Sequence, residues 1–215
     1  MSNQNKCLSC TDCGVVSCSS GQNAYPEFCL TANLDQQELK EALRLYDDPI
    51  NRKIAVAAAE VEAAFYCKYT RVQEIIEFAH RIGAKKIGIA TCVGLIEESR
   101  IFAKILRVNG LEPYGIACKV GATEKKTGLN LDEQYIMKPG ERMCNPILQA
   151  KLLNKTDLNV VVGLCVGHDS LFYKYSKAIC TTLLVKDRVL GHNPVAALYT
   201  SKTYYKKLLN QPQNK

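Results

Sequence analysis

The chain has 215 residues, of which 47% are hydrophobic and 23% are charged, and this composition excludes a wholly disordered or fibrous protein. The length allows one full-sized hydrophobic core with a smaller appendage. The formal net charge of +7 does not indicate a nucleic-acid partner, because the basic residues are scattered and metal-bound thiolates would offset much of that charge.

No stretch approaches the roughly 20 consecutive apolar residues of a membrane-spanning helix, and the opening MSNQNKCLSC lacks the apolar run of a secretory signal. We therefore expect a cytoplasmic protein with no membrane partner. The cytoplasm keeps thiols reduced. Eleven closely spaced cysteines there favour metal binding or catalysis over disulfides.

Residues 1–30 are predicted to form a cysteine-rich metal knuckle. The segment has few large aliphatic side chains and needs another source of order, which a metal ion supplies. Spacings of two residues let neighbouring sulfur atoms reach one ion, so zinc fits; the run also resembles iron–sulfur ligation, without the usual x3-Cys-Pro ending. Zinc through any four of the five and an iron–sulfur cluster both stay open. The knuckle cysteines are Cys7, Cys10, Cys13, Cys18 and Cys29.

Residues 31–83 are predicted to be a helical segment packed on the main domain. Leu39, Ala42 and Leu43 recur at helical spacing, Pro49 restarts the chain, and an alanine-rich stretch follows. A third periodic stretch ends at Gly83.

Residues 84–215 are predicted to form an α/β domain with a basic C-terminal tail. Short β-branched runs, KKIGIAT, EPYGIA, LNVVVGL and AICTTLLV, alternate with helical stretches such as residues 97–108. This alternation indicates βαβ units and a Rossmann-like, mainly parallel sheet with flanking helices. A polar connection over residues 119–142 is long enough to be a lid or a binding loop.

A second group of cysteines is predicted at the carboxyl edge of this sheet, where open α/β sheets bind ligands. Three of them follow predicted strands, and the fourth closes the long connection. We call Cys92, Cys118, Cys144 and Cys165 the rim cysteines. Shared metal binding is the first interpretation, and apolar packing at strand ends is the alternative.

Three further side chains are predicted to bind a cofactor or substrate at this edge. His168 stands two residues after a rim cysteine with metal-ligand spacing, and His192 lies in the GHNP loop after the last strand. Lys119 opens the long connection, which we expect to cover a small anionic substrate. Cys67 and Cys180 are assigned to packing. No Gly-rich nucleotide loop, Walker motif, HExxH or GxSxG is present.

The N-terminal C-x2-C-x2-C-x4-C, TCVGL, the ACK segment, MCNP, and GLCVGHDSLF followed by LGHNP together resemble a cysteine-rich family of unknown function in anaerobic bacteria and archaea. Members of that family are called metal-binding proteins. The resemblance covers nearly the whole chain. It implies a bound metal and supplies no reaction.

Three hypotheses follow. The chain is a redox or catalytic metalloprotein with its reactive centre at the rim cysteines, or a protein that handles or senses metal without catalysis. The third is a small-molecule binding domain in which only the knuckle holds metal. A closed set of four ligands would separate the second hypothesis from the first, because a catalytic site keeps one position open.

Overall fold

The structure is a computed structural model that describes residues 8–22 and 24–210. The chain divides into two compact units, residues 1–56 and residues 57–215. Cys7, one of the predicted knuckle ligands, lies outside the described residues.

The first unit consists of short turns followed by helices. A 3-10 turn at Cys10–Asp12 is closed by a capping box between Ser9 and Asp12. Helix α1 spans Ser17–Ser20, α2 spans Gln36–Arg44, a 3-10 turn covers Leu45–Asp47, and α3 spans Pro49–Phe65 and runs into the second unit.

The second unit alternates helices and strands, as predicted. Its elements in chain order are α4 (Arg71–Arg81), β1 (Lys86–Thr91), α5 (Ile96–Val108), β2 (Glu112–Ala117), α6 (Lys125–Leu129), α7 (Pro146–Leu153), β3 (Leu158–Val162), α8 (His168–Tyr175), β4 (Ile179–Leu184) and α9 (Val195–Tyr199). Short 3-10 turns lie at Val93–Leu95, Glu133–Tyr135 and Lys206–Leu208.

The four strands form one sheet in the order β2-β1-β3-β4, and every neighbouring pair is parallel. Thr91 at the end of β1 aligns with Ala117 on one side and Val162 on the other, so these three strands end together. The strand order reverses between β1 and β3, and ligands bind at such a crevice in open α/β sheets. The predicted Rossmann-like parallel sheet is confirmed.

The central strands β1 and β3 are buried on both faces, which explains their continuous apolar sequences. Ile87 and Ile89 of β1 belong to one core cluster with α4 and α5. Ala90 of β1 and Val161 of β3 belong to a second cluster with α7 and α8. Cys92 and Cys118 are members of that second cluster, so two of the rim cysteines lie at the border of the hydrophobic core.

Helices long and apolar enough to cross a membrane are absent from the part of the chain that the structure describes.

Candidate thiolate site

The carboxyl ends of β1 and β2 each deliver a cysteine to the same edge of the sheet. Cys92 follows β1, where the backbone N–H of Leu95 donates to the carbonyl oxygen of Cys92 at 2.9 Å. Cys118 follows β2, and its carbonyl oxygen accepts a hydrogen bond from the backbone N–H of Asn145 at 2.7 Å. That bond closes the base of the long connection and brings the adjacent Cys144 to the edge.

The resulting arrangement places Cys118 between two other thiols. The Sγ atoms of Cys118 and Cys144 lie 3.6 Å apart, and the Cys118 thiol is also close enough to Cys92 to lower its pKa. Cys92 and Cys118 are buried and Cys144 is half-buried. Three sulfur atoms drawn from separate segments therefore form one chain of contacts.

These contacts give the three thiols different pKa values. A hydrogen bond with Cys118, aided by the backbone N–H of Gly94 and by nearby cations, lowers the pKa of Cys92 to about 5. The hydrogen bond with Cys118 likewise lowers the pKa of Cys144 to about 6. Hydrogen bonds to both neighbours, and then burial, raise the pKa of Cys118. These pKa values favour thiolates at Cys92 and Cys144 at neutral pH, with Cys118 as the protonated member of the group.

Positive charge surrounds the thiolates. The charges of Lys186 and Arg188 help to lower the pKa of Cys92, and those of Lys119 and His168 help to lower that of Cys144. The Nζ atom of Lys186 lies 3.0 Å from the point that a Cβ on Gly94 would occupy, and the Sγ atom of Cys92 lies 4.0 Å from the same point. Lys186 and the Cys92 sulfur therefore lie on the same side of Gly94, within Coulombic reach of each other.

Cys165 reaches the same edge from β3 and contacts a cation. The Nη2 atom of Arg188 lies 2.9 Å from the Sγ atom of Cys165. Gly163 makes this approach feasible, because it adopts φ +68° and its N–H donates to the carbonyl oxygen of Leu184 at 2.9 Å. A Cβ at Gly163 would lie 1.9 Å from the Cδ1 atom of Leu95, so a larger residue there would have to displace Leu95.

The side chain of Gln149 bridges the carboxyl ends of β1 and β2. Its Nε2 atom donates to the carbonyl oxygens of Thr91, at 3.1 Å, and Ile116, at 2.7 Å, which precede Cys92 and Ala117. The residue is fully buried, and its Oε1 atom has no hydrogen-bond partner among the described residues. Helix α7, which carries Gln149, thus sets the separation of the strand ends that present the thiols.

The two predicted histidines take different positions. His168 is half-buried and stands close enough to Cys144 to favour its thiolate. The imidazole Nδ1 atom of His192 accepts the backbone N–H of Asp187 at 3.1 Å, and the backbone N–H of His192 donates to the carbonyl oxygen of Asp187 at 3.0 Å. These two hydrogen bonds hold His192 within its own loop. Only the Nε2 atom of His192 stays available for a ligand.

The long connection over residues 119–142 leaves and rejoins the sheet at the rim. It folds onto itself through the paired backbone of Glu124 and Arg142 and through three ion pairs. Those pairs are Lys125 with Glu141, Lys126 with Glu133, and Arg142 with Glu124. Three of its five basic residues are therefore paired with glutamates. Lys138 and Lys119 have no ion pair among the described residues, and the Nζ atom of Lys119 donates to the carbonyl oxygen of Arg142.

The described knuckle cysteines line one cavity, together with Tyr25 and Phe28; they are Cys10, Cys13, Cys18 and Cys29. Backbone N–H groups point at two of the sulfur atoms. The N–H of Val16 donates to the Sγ atom of Cys13 at 3.5 Å, and backbone hydrogen bonding from Ala32, followed by Thr31, lowers the pKa of Cys29.

The two remaining cysteines lie apart from both groups. Cys180 is half-buried at the start of β4, its Sγ atom donates to the Oγ atom of Ser176 at 3.1 Å, and burial raises its pKa. The assignment of Cys67 to packing is wrong: α3 ends at Phe65, and Cys67 turns the chain with φ 55° and is exposed.

The described side chains, as placed, include no group of three or more Cys, His, Asp or Glu that could hold a metal ion. Lys186, Arg188 and Gln149 were missed as site residues. The first two had a usable signal, since they follow the last strand directly and must emerge at its carboxyl end. Gln149 gave none, because a lone glutamine in a helix is ordinary.

Fold and site together define an α/β protein with a parallel sheet that carries a cluster of interacting thiols at its carboxyl edge. The chain belongs to the family described as "Protein of unknown function (DUF1847)", whose model matches residues 29–183. It is 45% identical over 208 residues to an uncharacterized protein of Methanocaldococcus jannaschii, covering 94% of this chain and 98% of that relative. No solved structure matches the chain. The name "metal-binding protein" is not part of the family description.

Proposed function

We propose that this protein is a cytoplasmic metalloprotein whose working centre is one metal ion held by Cys92, Cys118 and Cys144. One observation carries the proposal, namely the 3.6 Å between the Sγ atoms of Cys118 and Cys144. Two sulfur atoms that bind one tetrahedral zinc ion at about 2.3 Å stand about 3.8 Å apart, so little movement is needed to admit the ion. A disulfide would need about 2.05 Å.

The protonation pattern supports the same proposal. Metal ligation requires thiolates, and the pKa values of Cys92 and Cys144 are lowered to about 5 and about 6. A small rotation of the third thiol toward its neighbours, with loss of one proton, would complete a three-sulfur site. The N–H of Gly94 aimed at Cys92 would remain as a hydrogen bond to a metal-bound sulfur.

The short sulfur separation favours zinc over a [4Fe–4S] cluster at this centre. Each cysteine of a [4Fe–4S] cluster binds a different iron atom, so the ligand sulfur atoms stand farther apart than two ligands of one ion. The knuckle cysteines supply a second site with a structural role, for which zinc and an iron–sulfur cluster both stay open. If Cys165 closes the rim site as a fourth ligand, the protein handles or senses metal without catalysis.

The test is metal analysis of protein purified without oxygen. Wild-type protein should hold one metal equivalent at the rim in addition to the knuckle metal, and Cys118→Ser should lose one equivalent while keeping the wild-type circular dichroism. Cys67→Ser and Cys180→Ser, which alter cysteines outside both groups, should lose none. Unchanged metal content in Cys118→Ser and Cys144→Ser would reject the rim centre and leave a small-molecule binding domain with a knuckle metal. If the wild-type protein is brown and Cys118→Ser is colourless, the rim centre is an iron–sulfur cluster and not a zinc ion.

A second candidate function is thiol–disulfide exchange, favoured by the same pair of sulfur atoms. The Cys144 thiolate would attack a small-molecule disulfide and release one thiol, and Cys118, after losing its proton, would displace the second thiol to form the Cys118–Cys144 bond. The protein loses two electrons and the disulfide gains them. Mass spectrometry after treatment with oxidised glutathione should then show a Cys118–Cys144 crosslink in metal-free protein, and metal should block it.

A further inference from the structure

The two edge strands of the sheet, β2 and β4, are covered to different extents. Each residue of β4 is half-buried, whereas Glu112, Tyr114 and Gly115 of β2 are exposed. A Cβ added to Gly115 would meet only Ile89 of the neighbouring β1 within 4 Å. A glycine inside a strand often marks a place where another backbone comes close. The outer edge of β2 has room for such a backbone.

The hydrogen bonding of β2 fixes which of its backbone groups point away from the sheet. The N–H of Glu112 donates to the carbonyl oxygen of Lys85, just before β1, at 2.8 Å. Successive residues of a strand direct their backbone groups to opposite sides, so every second residue from Glu112 faces β1. The residues whose backbone groups face outward are Pro113, Gly115 and Ala117. Among the described residues, no strand pairs with them.

These outward residues differ in what they offer to a partner. Pro113 has a carbonyl oxygen but no N–H. Gly115 offers both groups. Ala117 offers its N–H, while its carbonyl oxygen already accepts the backbone N–H of Val120 at 3.1 Å. The edge therefore lacks a donor at its start and has an occupied acceptor at its end.

We propose that the outer edge of β2 pairs with the same edge of a second copy of this chain, in an antiparallel ladder whose two-fold axis passes through Gly115. The two Gly115 residues exchange both of their hydrogen bonds, and the Ala117 N–H of each copy donates to the Pro113 carbonyl oxygen of the other. The missing N–H of Pro113 then stands opposite the oxygen that Val120 occupies. A ladder centred on Tyr114 would instead leave the Gly115 oxygen opposite Pro113, without a donor.

The side chains at this edge fit the same register. Tyr114, which is 53% exposed, stands directly opposite Ile116 of the other copy, and aromatic and β-branched residues stabilise each other in such cross-strand pairs. Glu112 lies beside the end of the partner strand, where Lys119 follows, so opposite charges meet. Pairing uses the edge in both copies, so assembly stops at the dimer. The contact is narrow, and its dissociation constant is micromolar or weaker. The inference does not depend on the proposed metal centre.

The first test is sedimentation velocity of the full-length protein at micromolar to millimolar chain concentrations. A phosphine reductant is present so that disulfides cannot link the chains. We expect a reversible equilibrium between monomer and dimer. Gly115→Pro deletes the outward N–H at the axis and leaves the bonds to β1 in place, and Tyr114→Glu sets a carboxylate opposite Ile116. Each change occurs twice in the dimer and should weaken dimerisation at least about tenfold. Tyr199→Glu, at an exposed tyrosine of α9, should stay within about twofold.

Amide hydrogen exchange of the wild-type protein, followed by NMR, tests the register without any substitution. The amides of Gly115 and Ala117 should become protected only as the chain concentration rises, whereas those of Tyr114 and Ile116, which face β1, should be protected throughout. The proposal is overturned by a chain that stays monomeric into the millimolar range, by open-ended oligomers, or by exchange at Gly115 that ignores concentration. A dimer of equal strength in Gly115→Pro and Tyr199→Glu also overturns it, since the copies then meet elsewhere.

Discussion

Cys118 and Cys144 stand 26 positions apart in the chain, yet their Sγ atoms are 3.6 Å apart. The contact depends on two features of the sheet edge, the end of β2 and the hydrogen bond from the Asn145 N–H to the Cys118 carbonyl oxygen. Cys118 therefore lies between Cys92 and Cys144 and interacts with both.

Titration of the metal-free, reduced protein should show this dependence directly. Ultraviolet thiolate absorbance should fall as the pH drops through about 6 and about 5, because Cys144 and Cys92 take up protons there. Cys118→Ala removes the hydrogen bond that is the largest cause of both low pKa values. Both midpoints should then rise toward the ordinary thiol value of roughly 8.5.

Cys180→Ala is the matched control, since it deletes a half-buried thiol whose pKa is raised by burial. It should leave the two acidic steps in place. Midpoints that stay at about 5 and 6 in Cys118→Ala would mean that the cations, and not the thiol contact, set the pKa values of Cys92 and Cys144.

The sequence predicted the sheet edge well because the fold class follows from local patterns. Continuous β-branched runs indicated strands buried on both faces, and parallel strands necessarily end on the same edge. The positions of Cys92, Cys118 and Cys165 after β1, β2 and β3 follow from that alone.

Side-chain partners at the edge could not be predicted in the same way. The contact of Arg188 with Cys165 depends on how the loop after β4 turns, which Asp187 and His192 fix by hydrogen bonds that no periodicity reveals. Cys67 was misplaced for a related reason. Helical spacing continues past Phe65, but the chain leaves the helix at a left-handed residue.

Gln149 should matter for stability and for the geometry of the rim. Gln149→Leu removes the two hydrogen bonds that the Nε2 group donates to the carbonyl oxygens of Thr91 and Ile116. Their loss should lower the free energy of unfolding by about 1–3 kcal/mol in urea titrations. Gln36→Leu, on the exposed α2, should change it by less than about 0.5 kcal/mol. A Gln149→Leu protein as stable as wild type would mean that the unpartnered Oε1 atom already cancels the benefit of the two donated bonds.

The knuckle should hold its metal independently of the rim. Cys13→Ser with Cys29→Ser should lose one metal equivalent and expose residues 8–30 to limited proteolysis, because the segment has little apolar core to order it. The rim metal should remain, as judged against Cys67→Ser, which changes an exposed cysteine. Full metal content with an unchanged cleavage pattern would show that Cys13 and Cys29 are not ligands.

Gly163 should be the least replaceable glycine near the site, and the chain offers a control that separates its two constraints. Gly163 and Gly110 both have positive φ angles, +68° and +75°, so alanine at either costs about 1–2 kcal/mol in backbone strain. A Cβ at Gly110 would meet nothing within 4 Å, whereas a Cβ at Gly163 would lie 1.9 Å from Leu95 and 2.9 Å from Leu184. Gly163→Ala should therefore be less stable than Gly110→Ala by a further 1–3 kcal/mol or so, measured by urea unfolding. Equal losses of stability in the two variants would show that Leu95 moves aside freely and that its contact with Gly163 does not limit the residue at that position.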